Sequence, residues 1–369
     1  MTSTDRRLTG VDSLRGIAAL SVFVCHLVAY WSLRDQLPRR IVNLADNGAH
    51  GVDLFVVLSG FCLALPVLQK RTESFDIGKF WKRRALRILP PYYVALAFAA
   101  VFAMHPTLWS RVVGHRASVG DLVTYGTLTQ TLVKGHAGAI NGSLWSIALE
   151  AQLYLVFPAL VLLWRRVSPL TLTLLGAAAS VLWLAIPDSM HVGSIGSDLL
   201  LPARLVQFVA GVWCADVVLS GRRPEKRTCG LALLAGLIAG ISATTLGYEA
   251  VTPVIWTAPS VAFLLFAVGA NEDAGLLLWT KRLGAVSFSF YLVHQPIILL
   301  LAQPAYRLTR NPWGLLGLGM TVAFAIVIGA GTLLARAVEQ PSQRLARRVG
   351  ETGLVLPGGV ERAATSSSL

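Results

Sequence analysis

Stretches of about twenty mostly apolar residues recur along almost the whole of this chain, and no other feature restricts its fold as strongly. A helix rises 1.5 Å per residue, so each stretch is long enough to cross the roughly 30 Å hydrocarbon core of a bilayer. About ten can be marked, near 14–33, 50–69, 88–105, 144–164, 170–187, 199–220, 229–247, 252–270, 283–302 and 314–335. Composition agrees: 14% of the residues are charged, against about 25% in a soluble domain. The predicted fold class is all-α, a polytopic membrane bundle of about ten transmembrane helices over residues 1–340, followed by a basic, disordered tail over 341–369. The first stretch resembles a signal anchor, but no small-residue cleavage site flanks it, so it is expected to stay as a span.

A net charge of +13 would point to nucleic acid in a soluble protein. In a membrane protein the positive-inside rule explains it better, and no nucleic-acid partner is expected. Of the 32 basic residues, Arg15 and Arg204 fall within spans, eight fall on the side of the loop at 34–49, and the other 22 on the opposite side. That bias predicts an integral protein of a bacterial-type cytoplasmic membrane with both termini cytoplasmic. Cys25, Cys62, Cys214 and Cys229 lie in or beside spans without a C-x-x-C pair, and read as small packing residues.

Ionisable groups inside spans are costly and mark function by default. Arg15 and His26 flank RGIAALSVFVCH in the first span, roughly 16 Å apart along the axis. Asp53 starts the second span at about the depth of His26, so it reads either as the partner of His26 or as a carboxylate at a helix N-terminus. Glu150, five residues after Trp145, and His294 come to the same depth by their position in their spans. Arg204 reads as snorkelling outward or pairing with Glu150. On the inner side, FWKRRALRILPPYY places Arg84 and Arg87 three apart on one helical face, where they suit phosphate oxygens, although topology alone also recruits such charges. The long outer loop at about 106–143, with Trp109, His115 and His136, is a candidate lid.

The polar groups thus fall into two tiers, one suited to proton transfer and one to phosphates. Their separation, roughly 15–20 Å by the helical rise, is comparable to an extended pantetheine arm. An acyl-coenzyme A held by its phosphates in one tier could present its thioester in the other. No G-x-S-x-G elbow and no H-E-x-x-H metal site occurs.

From DSLRGIAALSVFVCH through GVDLFVVLSGF, FWKRRALRILPPYY, NGSLWSIALEAQLYLVFP, ARLVQFVAG and SFSFYLVHQPI to VEQPSQR, the chain resembles the membrane acyltransferase-3 family of multi-span O-acyltransferases. The resemblance implies transfer of an acyl group from acyl-coenzyme A, a co-substrate and not a resident cofactor, to a hydroxyl of a sugar or glycosylated acceptor. Either a cell-envelope glycan or a macrolide-like metabolite fits. Some relatives continue into a soluble hydrolase-like domain, whereas this chain ends within about thirty residues of its last span.

Under that resemblance the family's arginine and histidine fall on Arg15 and His26, its paired arginines on Arg84 and Arg87, its aspartate on Asp53 and its glutamate on Glu150. The reading that follows has His26 as general base, oriented or charge-balanced by Asp53, with an acyl-histidine intermediate as a variant. Glu150 and Arg204 position the acceptor or balance the oxyanion, while Arg84 and Arg87 hold coenzyme A phosphates and Arg15 anchors the cytoplasmic mouth. His294, Trp145 and Asn141 complete the substrate-binding set. The alternative is a proton-coupled transporter that uses the buried charges as a relay. The lipid bilayer is expected as a partner beside these substrates, and a homo-oligomer is compatible with the sequence.

Overall fold

A computed structural model describes residues 10–69, 75–104, 117–133, 135–164, 166–186, 197–248, 251–268 and 275–351. Among them the regular elements are all helical. In chain order they are α1 (Val11–Tyr30), α2 (Arg39–Asp46), α3 (Gly51–Gln69), α4 (Ile77–Ala103), α5 (Val119–Gly126), α6 (Trp145–Trp164), α7 (Pro169–Leu184), α8 (Leu201–Leu219), α9 (Lys226–Thr245), α10 (Thr252–Ile255), α11 (Thr257–Ala267), α12 (Gly275–Gly284), α13 (Ser287–Leu308), α14 (Pro312–Leu318), α15 (Phe324–Leu334) and α16 (Gln340–Glu351). Eight helical stretches are long and apolar enough to cross a membrane, and two shorter apolar helices, Pro169–Leu184 and Thr252–Ala267, stand where the fifth and eighth spans were expected.

Two departures from the sequence reading matter for the site. The last span runs on from Pro312 to Val349, interrupted by π turns at Gly319–Ala323 and Ala335–Glu339. Residues 341–351, assigned above to the disordered tail, are therefore helical. Glu339, Ser342 and Ala346 are buried at i, i+3 and i+7, which gives this stretch a face, and it packs on α4. The candidate lid is described only over 117–133 and 135–143; Trp109 and His115 lie outside the described residues, as do 352–369 of the tail.

Close helix approach sets the positions of α3 and α8. Gly60 and Gly211 lie against each other's helix backbone, at Phe208 and Val57 respectively, where any Cβ would collide with a carbonyl. Small residues permit this proximity in a membrane, where packing replaces the hydrophobic effect between helices. Asp53 precedes Gly60 by seven residues and Arg204 precedes Gly211 by seven, so both charged groups share the contact face. The glycine seam thus brings a carboxylate and a guanidinium together.

Prolines inside helices supply a second positioning device. Each lacks an N–H and leaves the carbonyl four residues earlier without its helical donor. Pro158 frees the carbonyl of Tyr154, which accepts from Trp81 Nε1 at 3.0 Å, joining α6 to the basic start of α4. Pro296 frees that of Leu292, which accepts from Asn141 Nδ2 at 3.2 Å. Ordinary helix-breaking residues here become sockets for neighbouring side chains.

Candidate active site

Eleven residues separate Arg15 from His26, a rotation of about 1,100° and so only about 20° beyond three turns. The two side chains therefore occupy one face of α1. A cavity of about 320 Å³, which Arg15 lines, lies between α1, α3, α4, α6, α13 and the second π turn. Arg15, Arg84, Arg87, Tyr154 and Glu339 surround one end, and Val52, Phe55, Ser146 and Tyr291 close the other. From Tyr154 to Ser146 is eight residues of α6, roughly 12 Å of helix.

The arginine end is rich in cations, and two of them have no ion pair among the described residues. Arg15 bonds weakly to Asp12 at 3.5 Å and to Cys62 Sγ at 3.4 Å. The Arg84 guanidinium sits over the rings of Phe80 and Tyr154, at 5.7 and 5.5 Å from their centroids. Neither Arg84 nor Arg87 has a hydrogen bond or ion pair among the described residues. Half-buried guanidinium groups facing a cavity are suited to an anion with several oxygens. Glu150 belongs to this cavity: it accepts a short hydrogen bond from Tyr154 Oη and a 3.5 Å contact from Ser59 Oγ.

At the opposite end, α1 and α13 bring two imidazoles together. His26 Nδ1 lies 2.7 Å from His294 Nε2, and His294 Nδ1 lies 2.5 Å from the carbonyl oxygen of Tyr291. A carbonyl only accepts, so His294 carries its proton on Nδ1. Its Nε2 is then the acceptor, and His26 donates from Nδ1. The relay leaves a lone pair on His26 Nε2. Gln295 steadies the surroundings by accepting from Ser143 N and Oγ, both at 2.6 Å, and donating to Tyr30 Oη at 2.6 Å.

Asp53 is not the partner of His26, contrary to the sequence reading. Its Oδ1 accepts from Arg204 and, at 2.6 Å, from Gln207 Nε2, while its Oδ2 lies 2.6 Å from His50 Nδ1. Of the two readings of Arg204, pairing with Glu150 is replaced: Arg204 bonds Asp53 and Asp198, and lies over the Trp145 ring at 5.4 Å. Equal depth does not imply a shared direction, and Asp53 faces α8 along the glycine seam. What looked like one constellation separates into an imidazole pair, an arginine cavity and a buried ion cluster.

Several contributors were missed. His50 precedes Asp53 by three residues, a spacing that puts them on one face. Gln207 follows Arg204 by three, and Gln295 adjoins His294, so each had a local signal. Tyr154 and Glu339 had weaker ones, since their roles depend on which helices meet.

Comparison with known proteins adds three observations. Residues 8–330 match the sequence profile of an acyltransferase domain, that of the acyltransferase-3 family. The chain is 30% identical over 380 residues to an acyltransferase, MdmB, of Streptomyces mycarofaciens, covering 93% of both chains. It is also 30% identical over 165 residues to the O-acetyltransferase OatA of Staphylococcus aureus and 27% identical over 164 residues to the peptidoglycan O-acetyltransferase OatA of Listeria monocytogenes. Those two matches take in 42% of this chain but only 25% and 24% of the relatives. No solved structure matches. All three relatives are named as transferases, and none supports the transporter alternative.

Proposed function

The chain belongs to the acyltransferase-3 family, and on that premise we propose that it is a membrane O-acyltransferase that moves an acyl group from acyl-coenzyme A to a hydroxyl of a sugar or glycosylated acceptor. The observation that carries the donor assignment is the pair Arg84 and Arg87, which face the cavity with no hydrogen bond or ion pair among the described residues, while His26 stands on the same side of α1 as Arg15. Coenzyme A phosphates occupy the arginine end, and the thioester points toward the histidines. Both termini are cytoplasmic, as the charge bias favours.

His26 Nε2 takes the proton of the acceptor hydroxyl, whose oxygen bonds to the thioester carbonyl carbon. His294 and the Tyr291 carbonyl hold the ring in the tautomer that makes this nitrogen basic. As the C–S bond breaks, the thiolate leaves and recovers a proton from His26. Glu150, beside the arginines, orients the donor and not the acceptor, and Trp145 and Asn141 shape the side from which the acceptor arrives. The acceptor is either a cell-envelope glycan or a glycosylated metabolite of the macrolide type.

The test uses purified chain in lipid nanodiscs with radiolabelled acetyl-coenzyme A and two acceptor panels, macrolide glycosides and envelope-glycan fragments. Label is expected to appear as an ester on one panel and to vanish with His26→Ala. Transfer that survives in His26→Ala would remove the histidine from the chemistry. Absence of coenzyme A binding would remove the donor.

A further inference from the structure

The cavity and the imidazole pair are adjacent but separated, and the separator is made of named groups. Tyr291 lines the cavity. Its ring centroid lies 5.2 Å from that of His294, and its main-chain carbonyl accepts from His294 Nδ1. Phe55 meets Tyr291 edge to face, with centroids 6.0 Å apart, and also lines the cavity. The Tyr291 hydroxyl is fastened twice, donating to the Ser143 carbonyl at 2.8 Å and accepting from Ser146 Oγ at 2.8 Å. His26 is not among the residues that line the cavity. A thioester whose phosphates rest on the arginines therefore stops short of the nitrogen that activates the acceptor.

We propose that Phe55 and Tyr291 form a partition that keeps the donor thioester from His26 until the acceptor is in place, so that the acyl group is given to the acceptor and not to water. This inference rests on the donor assignment made above. With the partition open and no acceptor present, His26 Nε2 would take a proton from water, and the water oxygen would bond to the carbonyl carbon. The C–S bond would break, the thiolate would recover a proton, and a free carboxylic acid would leave. Closure is built from one aromatic contact and two hydrogen bonds, few enough interactions for a bound acceptor to displace them. Phe55 and Tyr291 are positioning residues in this scheme, and their signature is the fate of the acyl group.

The experiment measures thiol release from acetyl-coenzyme A by the purified protein in nanodiscs with no acceptor present, alongside equilibrium binding of coenzyme A. Phe55→Ala is expected to raise acceptor-free thiol release at least tenfold, and the double variant Phe55→Ala, His26→Ala to lose that gain. Tyr291→Phe, which keeps the ring and removes both fastening bonds, is expected to raise release about threefold and serves if the alanine variant does not fold. A single variant that binds coenzyme A yet releases thiol at the wild-type rate would overturn the partition, as would a gain that persists without His26. If the wild-type protein binds no coenzyme A, the donor assignment itself falls, a result distinct from either of these.

Discussion

His26 and Asp53 lie on neighbouring helices, α1 and α3, and their burial has opposite outcomes. Both carboxylate oxygens of Asp53 are engaged, by Arg204, Gln207 and His50. His26 commits one nitrogen to His294 and leaves the other with a lone pair. A buried polar group whose capacity is filled acts as a brace, whereas one with capacity left over can act as a reagent. Asp53 fastens α3 to α8, and His26 is held ready by α13.

Removing each group should separate these roles. His26→Ala is expected to lower acyl transfer by about 10²–10⁴-fold, the usual range for a general base, with little change in the unfolding midpoint. Transfer within threefold of wild type would erase the distinction from one side. For Asp53→Ala the larger loss should be in stability, about 3 kcal/mol in thermal melts, because the buried Arg204 charge is left with only the half-buried Asp198 to balance it. Pairing it with Arg204→Met should restore much of the midpoint, since an apolar pair can replace a buried ion pair. An unchanged midpoint in Asp53→Ala would show that the cluster is no brace.

Smaller effects sharpen the comparison in the arginine cavity and the outer loop. Arg87→Ala should raise the KM for acyl-coenzyme A by roughly 10- to 100-fold, the equivalent of one lost charge-assisted contact, with kcat changed far less. A fall in kcat at constant KM would place Arg87 nearer the chemistry than the phosphates. Asp121→Asn disturbs a capping box with Ser118 and the 2.7 Å ion pair to His136, and should cost about 1 kcal/mol at neutral pH. Burial raises the Asp121 pKa, but the Ser118 N–H and hydroxyl and the His136 imidazole outweigh it and the net is a depression. Its stabilising contribution is therefore present above the ordinary carboxylate range and lost as the pH falls through it, so the variant and wild type should converge in acid melts.

Much of the fold was legible, because a span is a matter of length and polarity along one segment. The site was legible in part. A spacing of eleven from Arg15 to His26 fixes a shared face within one helix, and a spacing of three from Arg84 to Arg87 fixes another. Partners across helices are a different problem. Depth along an axis can be counted from the sequence, but the direction of a side chain around that axis gains meaning only once the neighbouring helix is known. Asp53 was assigned by depth and faced elsewhere. The seven-residue spacings Asp53–Gly60 and Arg204–Gly211 carried the missing direction, as paired small-residue seams with a charge on each. His294 lies 268 residues from His26, and no local pattern links them. The helical stretch 341–351 reads as tail because its charges hide a buried face at Ser342 and Ala346.

The second π turn turns the aim of the last helix into a matter of counting. A π turn holds one residue more than the α register allows, and each residue contributes about 100° of rotation. Deleting one residue within Ala335–Val338 would restore α geometry and leave the later faces in place, whereas forcing the same residues into α geometry would swing everything after them by about that angle. Glu339 and Gln343, which now face the arginines, would point away from them, and the seam of Ser342 and Ala346 would leave α4. The end of this helix behaves as a rotary joint with a fixed offset, and loss of the π register there would alter the floor of the cavity more than many substitutions within it.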